Sequence, residues 1–262
     1  IQFFQDNSNN YPKISNIDFF VRIFKDNRTF TYFSLIINDI NEVLISQVML
    51  LLSLLSLNSR FSQILVNEKE LITTIINFLL ICIDPATLDN GLIFLKNTFE
   101  YFGLSHLSID LDTLNSLFEN IVKLEIDFEV VLDFEISLVR YIKVPISDFP
   151  FILESIKIGI SNSHYYNSLY LLYYSLLDQQ NREIVFTVLP EIIFFIIDQS
   201  ESFTHYDLLF IFFGVLEQIF RFYPTETEFL SAIIERFKPM TFQIAFSFND
   251  VKILDPIFFF LT

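Results

Sequence analysis

The stretch that decides the fold is residues 208–220, LLFIFFGVLEQIF. Its apolar side chains recur at intervals of three and four residues, and residues 169–177 repeat the same spacing. Such spacing places these side chains on one face of an α-helix, whereas a half-buried strand would alternate every second residue. The pattern therefore predicts helices, although the abundance of Ile, Phe and Tyr favours strands when each residue is considered alone.

The composition excludes several classes of protein. The 262 residues include only four glycines and eight prolines, too few for a collagen-like, linker-rich or turn-dense all-β chain. A hydrophobic fraction of 52% excludes intrinsic disorder. A mean hydropathy of +0.48 keeps a helical membrane protein as an alternative. The longest candidate for a membrane span, the uncharged residues 43–59, contains Ser, Gln and Asn and is shorter than the roughly 20 apolar residues that a span requires, so we expect no membrane partner.

Helix boundaries are marked by residues with special backbone chemistry. Asp84-Pro85 is typical of an N-cap followed by Pro at the first helical position. Residues 225–228, TETE, have the sequence of a capping box. Pro or Gly predicts three helix ends, at Tyr223-Pro224, Lys238-Pro239 and Gly103.

The predicted helices fall into two interleaved sets. The long helices begin near residues 41, 86, 127, 164 and 204, and the shorter ones near residues 69, 111, 149, 184 and 226. Within each set the starts are 35 to 45 residues apart, so a pair of helices recurs along the chain. Periods of about 40 residues are typical of armadillo and HEAT arrays. The alternative is an irregular helical bundle that alternates long and short helices.

Two segments resemble the armadillo repeat. Residues 53–66, SLLSLNSRFSQILV, followed by residues 70–80, ELITTIINFLL, resemble the passage from a long third helix through a short first helix into an amphipathic second helix. Residues 181–193, NREIVFTVLPEII, are similar to the first-to-second-helix passage. The resemblance implies an all-α, right-handed α-solenoid of about five armadillo/HEAT-like repeats. It also implies that residues 1–262 form a single repeat domain, taken from a longer array.

In the armadillo family the long third helices line a concave groove that holds extended peptides or partner proteins. In importin alpha an Asn and a Trp four residues before it project from these helices. In this chain the corresponding Asn positions are Leu54, Asn97, Arg140, Tyr174 and Gln218. Only Asn97 matches, and the chain contains no Trp. Of these positions, Asn97, Arg140, Tyr174 and Gln218 are the candidate groove residues. The resemblance therefore implies a scaffold that binds a protein or extended peptide, with a divergent importin-alpha-like receptor for basic cargo peptides as the alternative.

Charge adds two candidates to this groove. The chain carries 32 acidic and 16 basic residues, a net charge of −16. Eight acidic residues lie between Asp110 and Glu135, against the single basic Lys123. Such a run is ordinarily a solvated face, but Glu129 and Asp133, four residues apart, also fit an acidic wall that attracts basic peptides. Nucleic acid is excluded as a partner because its binding requires clustered Lys and Arg.

Catalytic chemistry has no sequence signature here. The three histidines, His106, His164 and His205, lack a second ligand at metal-binding spacing, and the four glycines are too scattered for a phosphate-binding loop. We predict no enzymatic activity, no cofactor, no metal and no small-molecule substrate. The single Cys82 lies in an apolar run and is predicted to be a buried thiol. One cysteine and the absence of a recognisable signal peptide favour a cytoplasmic or nuclear location.

Overall fold

The fold is all-α. The computed structural model describes residues 29–39, 41–65, 68–102, 111–200, 203, 205–237 and 247. Of these residues 82% are helical, in 13 α-helices, and none lies in a strand. This confirms the predicted fold class. The chain divides into two compact units, Ile1–Ile142 and Lys143–Thr262, which are described separately.

The first unit contains seven α-helices among its described residues. They are α1 (Thr29–Ile37), α2 (Glu42–Ser56), α3 (Ser59–Leu65), α4 (Lys69–Leu79), α5 (Pro85–Phe102), α6 (Leu111–Lys123) and α7 (Phe128–Ser137). A π-helical turn, Leu138–Ile142, continues α7. The long helices α2, α5 and α7 pack side by side in that order, and α1, α4 and α6 pack in the same way beside them.

The second unit repeats this alternation. It contains α8 (Pro150–Ser161), α9 (Tyr165–Leu177), α10 (Arg182–Phe186), α11 (Leu189–Gln199), α12 (Tyr206–Phe222) and α13 (Thr227–Arg236), preceded by a 3₁₀ turn, Ile146–Asp148. The long helices α9 and α12 pack against each other, and the shorter α8, α11 and α13 form a second row of neighbours. Leu172 on α9 and Leu216 on α12 are fully buried between the helices.

Nine of the ten predicted helix starts are confirmed to within two residues. The long helices begin at Glu42, Pro85, Phe128, Tyr165 and Tyr206, and the shorter ones at Lys69, Leu111, Pro150, Leu189 and Thr227. The exception is the start predicted near residue 184, which falls in the additional short helix α10, ahead of α11. Capping explains part of this agreement. Asp84 Oδ2 accepts a hydrogen bond from the Thr87 amide at 2.9 Å, as expected for the N-cap of α5. Likewise α12 ends at Phe222, directly before Tyr223-Pro224.

The predicted capping box at residues 225–228 is wrong. Helix α13 begins at Thr227, and its N-cap position is occupied by Glu226, which makes no side-chain capping bond. The physical reason is the preceding turn, in which the Glu226 amide bonds the Tyr223 carbonyl at 3.1 Å. This turn places the N-cap at Glu226, one residue beyond the predicted Thr225, and the helix begins at Thr227. The other predicted ends, at Gly103 and Lys238-Pro239, lie outside the described residues.

Hydrogen bonds between residues about one helix pair apart tie neighbouring helix pairs together. The Asn120 side chain donates to the carbonyls of Leu79 and Cys82, at 2.8 and 2.9 Å. In the second unit the Tyr223 hydroxyl donates to the Arg182 carbonyl at 2.8 Å, across 41 residues of sequence. The bond to Leu79 satisfies one of the last carbonyls of α4, which have no partner within their own helix.

Candidate functional site

A row of tyrosines runs along helix α9. Tyr166, Tyr170 and Tyr174 are spaced four residues apart, so their rings follow one another on one side of the helix. The ring centroids are 5.2 Å apart between Tyr166 and Tyr170 and 5.5 Å apart between Tyr170 and Tyr174. Tyr173 joins edge-on, 5.5 Å from the Tyr174 ring. We call these four residues the tyrosine row.

The tyrosine row is open to solvent. Tyr166 is 44% exposed, and Tyr170, Tyr173 and Tyr174 are half-buried. On the same helix Leu169 and Leu172 face the core instead and have no exposed surface. Helix α9 is thus amphipathic in an uncommon way, because its solvent face is aromatic rather than charged.

The neighbouring helix α12 meets the tyrosine row at Tyr173. Gly214 lies against Tyr173, and a Cβ atom there would be 3.5 Å from Cε2 of the Tyr173 ring. One turn further along α12, Arg221 Nη2 and Glu217 Oε1 form an ion pair at 3.2 Å. Burial raises the pKa of the Tyr173 hydroxyl, and the Glu217 charge and Tyr170 raise it further, while Arg221 lowers it. The hydroxyl therefore stays protonated near neutral pH and can both donate and accept a hydrogen bond.

Such a surface can contact a polypeptide in two ways. Tyrosine rings provide large, rigid apolar faces that lose little conformational entropy on binding, and their hydroxyls can bond the partner's backbone. Tyrosine is accordingly enriched in protein interfaces.

The six predicted groove residues are divided between the two units. Asn97, Glu129, Asp133 and Arg140 belong to the first, and Tyr174 and Gln218 to the second. Tyr174 is part of the tyrosine row. Gln218 is only 4% exposed and lies inside the unit rather than on its surface, where its Oε1 has no hydrogen-bond partner among the described residues.

The first-unit candidates have internal contacts. The Asn97 side-chain amide donates to Oγ of Ser56 on α2 at 3.0 Å. Arg140 is exposed, with its guanidinium 4.7 Å from the centroid of the adjacent Tyr141 ring. Asp133 forms an ion pair with Lys96 on α5. Glu129 is exposed in the first turn of α7.

The acidic run is less uniform than its sequence indicates. Within its described part, Asp112, Glu119, Glu125 and Asp127 are exposed, in agreement with a solvated face. Glu135 instead has no exposed surface. The charge of Asp133 is paired with Lys96, which lies 37 residues earlier in the chain and therefore outside the acidic run.

Sequence reasoning assigned Tyr174 to the groove but missed Tyr166 and Tyr173. A signal was present, because Tyr166, Tyr170 and Tyr174 have the four-residue spacing of one helical face. The predicted buried thiol is confirmed, since Cys82 is 4% exposed, and burial raises its pKa. His164 and His205 are at the N-cap positions of α9 and α12, whereas His106 lies outside the described residues.

No group of three or more His, Cys, Asp or Glu side chains suited to a metal ion occurs in the part of the chain that the structure describes. In the same part, no single helix has the length and apolar composition to cross a membrane; α2 and α3 meet these criteria only jointly, as a pair bent by 118°. Comparisons with protein-family models, with curated proteins and with solved structures find no match.

Proposed function

We propose that this chain is a non-enzymatic, armadillo-like α-solenoid scaffold that binds an extended peptide segment of a protein partner on its long helices. The observation that carries the proposal is the tyrosine row on α9, which gives a long helix an aromatic solvent face. In this proposal the rings pack against side chains of the peptide, and the hydroxyls bond its backbone.

The repeat architecture is supported by the order of the helices. A long and a shorter helix alternate in both units, and each long helix contacts the next long helix of its unit. The two segments that resemble the armadillo repeat contain the additional short helices α3 and α10, where a first helix is expected. Stacked pairs of this kind bury a continuous core that a single pair cannot form.

The importin-alpha-like alternative has weaker support. The Asn97 side chain bonds Ser56. The next position that corresponds to a peptide-binding Asn of importin alpha is the cation Arg140. Asp133 is paired with Lys96. Glu129 is exposed in the first turn of α7 and is the acidic position at which this alternative is tested. If this alternative holds, a basic nuclear-localisation peptide should bind at low salt, and Glu129→Lys should weaken its binding.

Selection from a display library of random 12-residue peptides tests the proposal directly. Peptides enriched on the full chain should bind the double variant Tyr170→Ala/Tyr174→Ala at least about tenfold more weakly, because interface tyrosines are frequent hot spots. Tyr170→Phe/Tyr174→Phe keeps the rings and should retain most of the affinity. Tyr32→Ala removes an exposed tyrosine of α1 and is the matched control. The proposal fails if every enriched peptide binds the Tyr170→Ala/Tyr174→Ala variant as tightly as it binds the wild type.

A further inference from the structure

A cleft of about 790 Å³ opens in the first unit, where α1 ends, α2 begins, α4 ends and α5 begins. No residue of the tyrosine row lines it. Its volume is within the range of about 300 to 1,000 Å³ that is usual for ligand-binding clefts. It is therefore a second candidate binding surface, independent of the function proposed above.

The walls of the cleft are aliphatic and open to solvent. Val43 is 69% exposed, Ile81 is 76% exposed and Ile83 is 73% exposed. Below them Ile37 and Ile45 are buried and form an apolar floor. Three highly exposed aliphatic side chains around one apolar cleft are typical of an interaction site rather than of ordinary surface.

Hydrogen bonds hold the segment that carries Ile81 and Ile83 in place. The Asn120 side chain on α6 donates to the carbonyls of Leu79 and Cys82. The Cys82 thiol lies 3.4 Å from the Asp84 carbonyl, and Asp84 caps α5 through Thr87. Because both ends of this segment are tied to helices, the two isoleucines are presented in a preformed arrangement, which reduces the entropy cost of binding.

The rim of the cleft is acidic. Asp39, Glu42 and Asp84 line it and are exposed, and none of its described lining residues is Lys, Arg or His. Burial raises the pKa of the Cys82 thiol, which also lines the cleft, and the charges of Asp84 and Glu42 raise it further.

We propose that this cleft binds a basic amphipathic segment of a partner protein. An aliphatic side chain of the segment sits against Val43, Ile81 and Ile83. Flanking Lys or Arg side chains face Asp39 and Glu42. Charge complementarity selects this occupant over an acidic or neutral segment, because like charges brought together at an interface cost affinity.

Three synthetic peptides of equal length serve as probes, with fluorescence anisotropy on the full chain as the measurement. The first is an amphipathic Leu/Lys peptide, the second has Glu in place of every Lys, and the third has Ser in place of every Leu. The first should bind saturably, and the other two should bind at least about tenfold more weakly, because each lacks one of the two required contacts.

Variants locate the binding. Ile81→Ser/Ile83→Ser should weaken binding of the Leu/Lys peptide about tenfold or more, with Val122→Ser, another exposed aliphatic of this unit, as the matched control. Asp39→Asn/Glu42→Gln should weaken binding and flatten its salt dependence. Asp112→Asn/Glu119→Gln removes the same charge from exposed positions outside the cleft and should leave binding unchanged.

Several results would overturn the proposal. Equal binding of the Glu-containing peptide would remove the charge argument. Unchanged affinity in Ile81→Ser/Ile83→Ser would place binding elsewhere. Absence of saturable binding by the Leu/Lys peptide would also overturn it, including the case in which another segment of this chain already occupies the cleft.

Discussion

The side-chain amide of Asn97 donates a hydrogen bond to the hydroxyl of Ser56 at 3.0 Å, and this bond joins α5 to α2. A second bond of the same kind runs from the Ser53 hydroxyl to Oδ1 of Asn90, at 2.9 Å. The asparagine that the armadillo resemblance assigns to peptide binding therefore has a structural contact between two long helices.

A double-mutant cycle tests this contact. Asn97→Ala and Ser56→Ala should each lower the free energy of unfolding by about 1 kcal/mol, because a partly buried hydrogen bond is lost. The double variant should lose less than the sum of the two, with a coupling energy of about 0.5 to 1.5 kcal/mol. Urea unfolding followed by far-UV circular dichroism measures all four proteins. Strictly additive losses would show that the two side chains do not interact in solution.

Alanine at two helical glycines should change stability in opposite directions. At Gly91 a Cβ atom would lie 2.4 Å from Cδ2 of Leu79, which is fully buried and cannot move aside freely, so Gly91→Ala should destabilise by about 1 to 3 kcal/mol. At Gly214 the nearest atom is an ordinary contact at 3.5 Å, so the helix propensity of Ala should stabilise by about 0.5 to 1 kcal/mol. Thermal unfolding measures both. The same sign for both variants would contradict the packing described around Gly91.

The Tyr223 hydroxyl should make stability depend on alkaline pH. Burial raises the pKa of Tyr223 to about 12, although the Arg182 charge lowers it in part. An unfolded tyrosine ionises near pH 10. Because the folded state holds this proton more tightly, the contribution of Tyr223 to stability is complete below pH 10 and is lost as pH rises towards 12.

Comparison with Tyr223→Phe isolates this contribution. At pH 8 the variant should be about 1 kcal/mol less stable, because the bond to the Arg182 carbonyl is lost. The difference from the wild type should narrow between pH 10 and 12, as measured by urea unfolding at each pH. Tyr32→Phe, at an exposed position, is the control. A difference that stays constant or widens with pH would contradict the assignment.

Arg182 should be sensitive even to a conservative change. Its guanidinium lies 3.4 Å from the centroid of the Phe222 ring, and its Nε donates to the Leu176 carbonyl at 3.0 Å near the end of α9. Lysine lacks the planar group that makes both contacts at once, so Arg182→Lys should lower the free energy of unfolding by about 1 to 2 kcal/mol. Arg221→Lys, whose exposed ion pair with Glu217 contributes little, should change it by less than about 0.5 kcal/mol. Equal effects in urea unfolding would refute the role given to Arg182.

The helices were predictable from the sequence because their signals are local. Three- and four-residue spacing defines each apolar face. Asp84-Pro85 fixes the start of α5, because the Asp84 carboxylate accepts a hydrogen bond from the amide of Thr87, only three residues along the chain. The capping box failed because the turn at Tyr223 shifted the start of α13 by one residue, and this shift depends on a backbone bond that side-chain identity does not specify.

The candidate site was less predictable because its contacts are not local. The pairing of Lys96 with Asp133 depends on how α5 packs beside α7, and no pattern within residues 110–135 reveals it. Gln218 has a polar side chain on α12 and was predicted to face a groove, yet the packing of this helix buries it. Periodicity identifies the apolar face of a helix but not which of its flanks a neighbouring helix covers.

Photo-crosslinking tests the central claim, that the tyrosine row binds a peptide, most directly. Tyr166 is replaced by p-benzoylphenylalanine, which keeps an aromatic side chain at the exposed end of the row, and Tyr32 is replaced in the same way as the control. On irradiation with a peptide selected on the wild-type chain, the Tyr166 variant should form a covalent adduct and the Tyr32 variant should not. Adduct formation by the Tyr32 variant alone, or by neither variant at a saturating peptide concentration, would contradict the account.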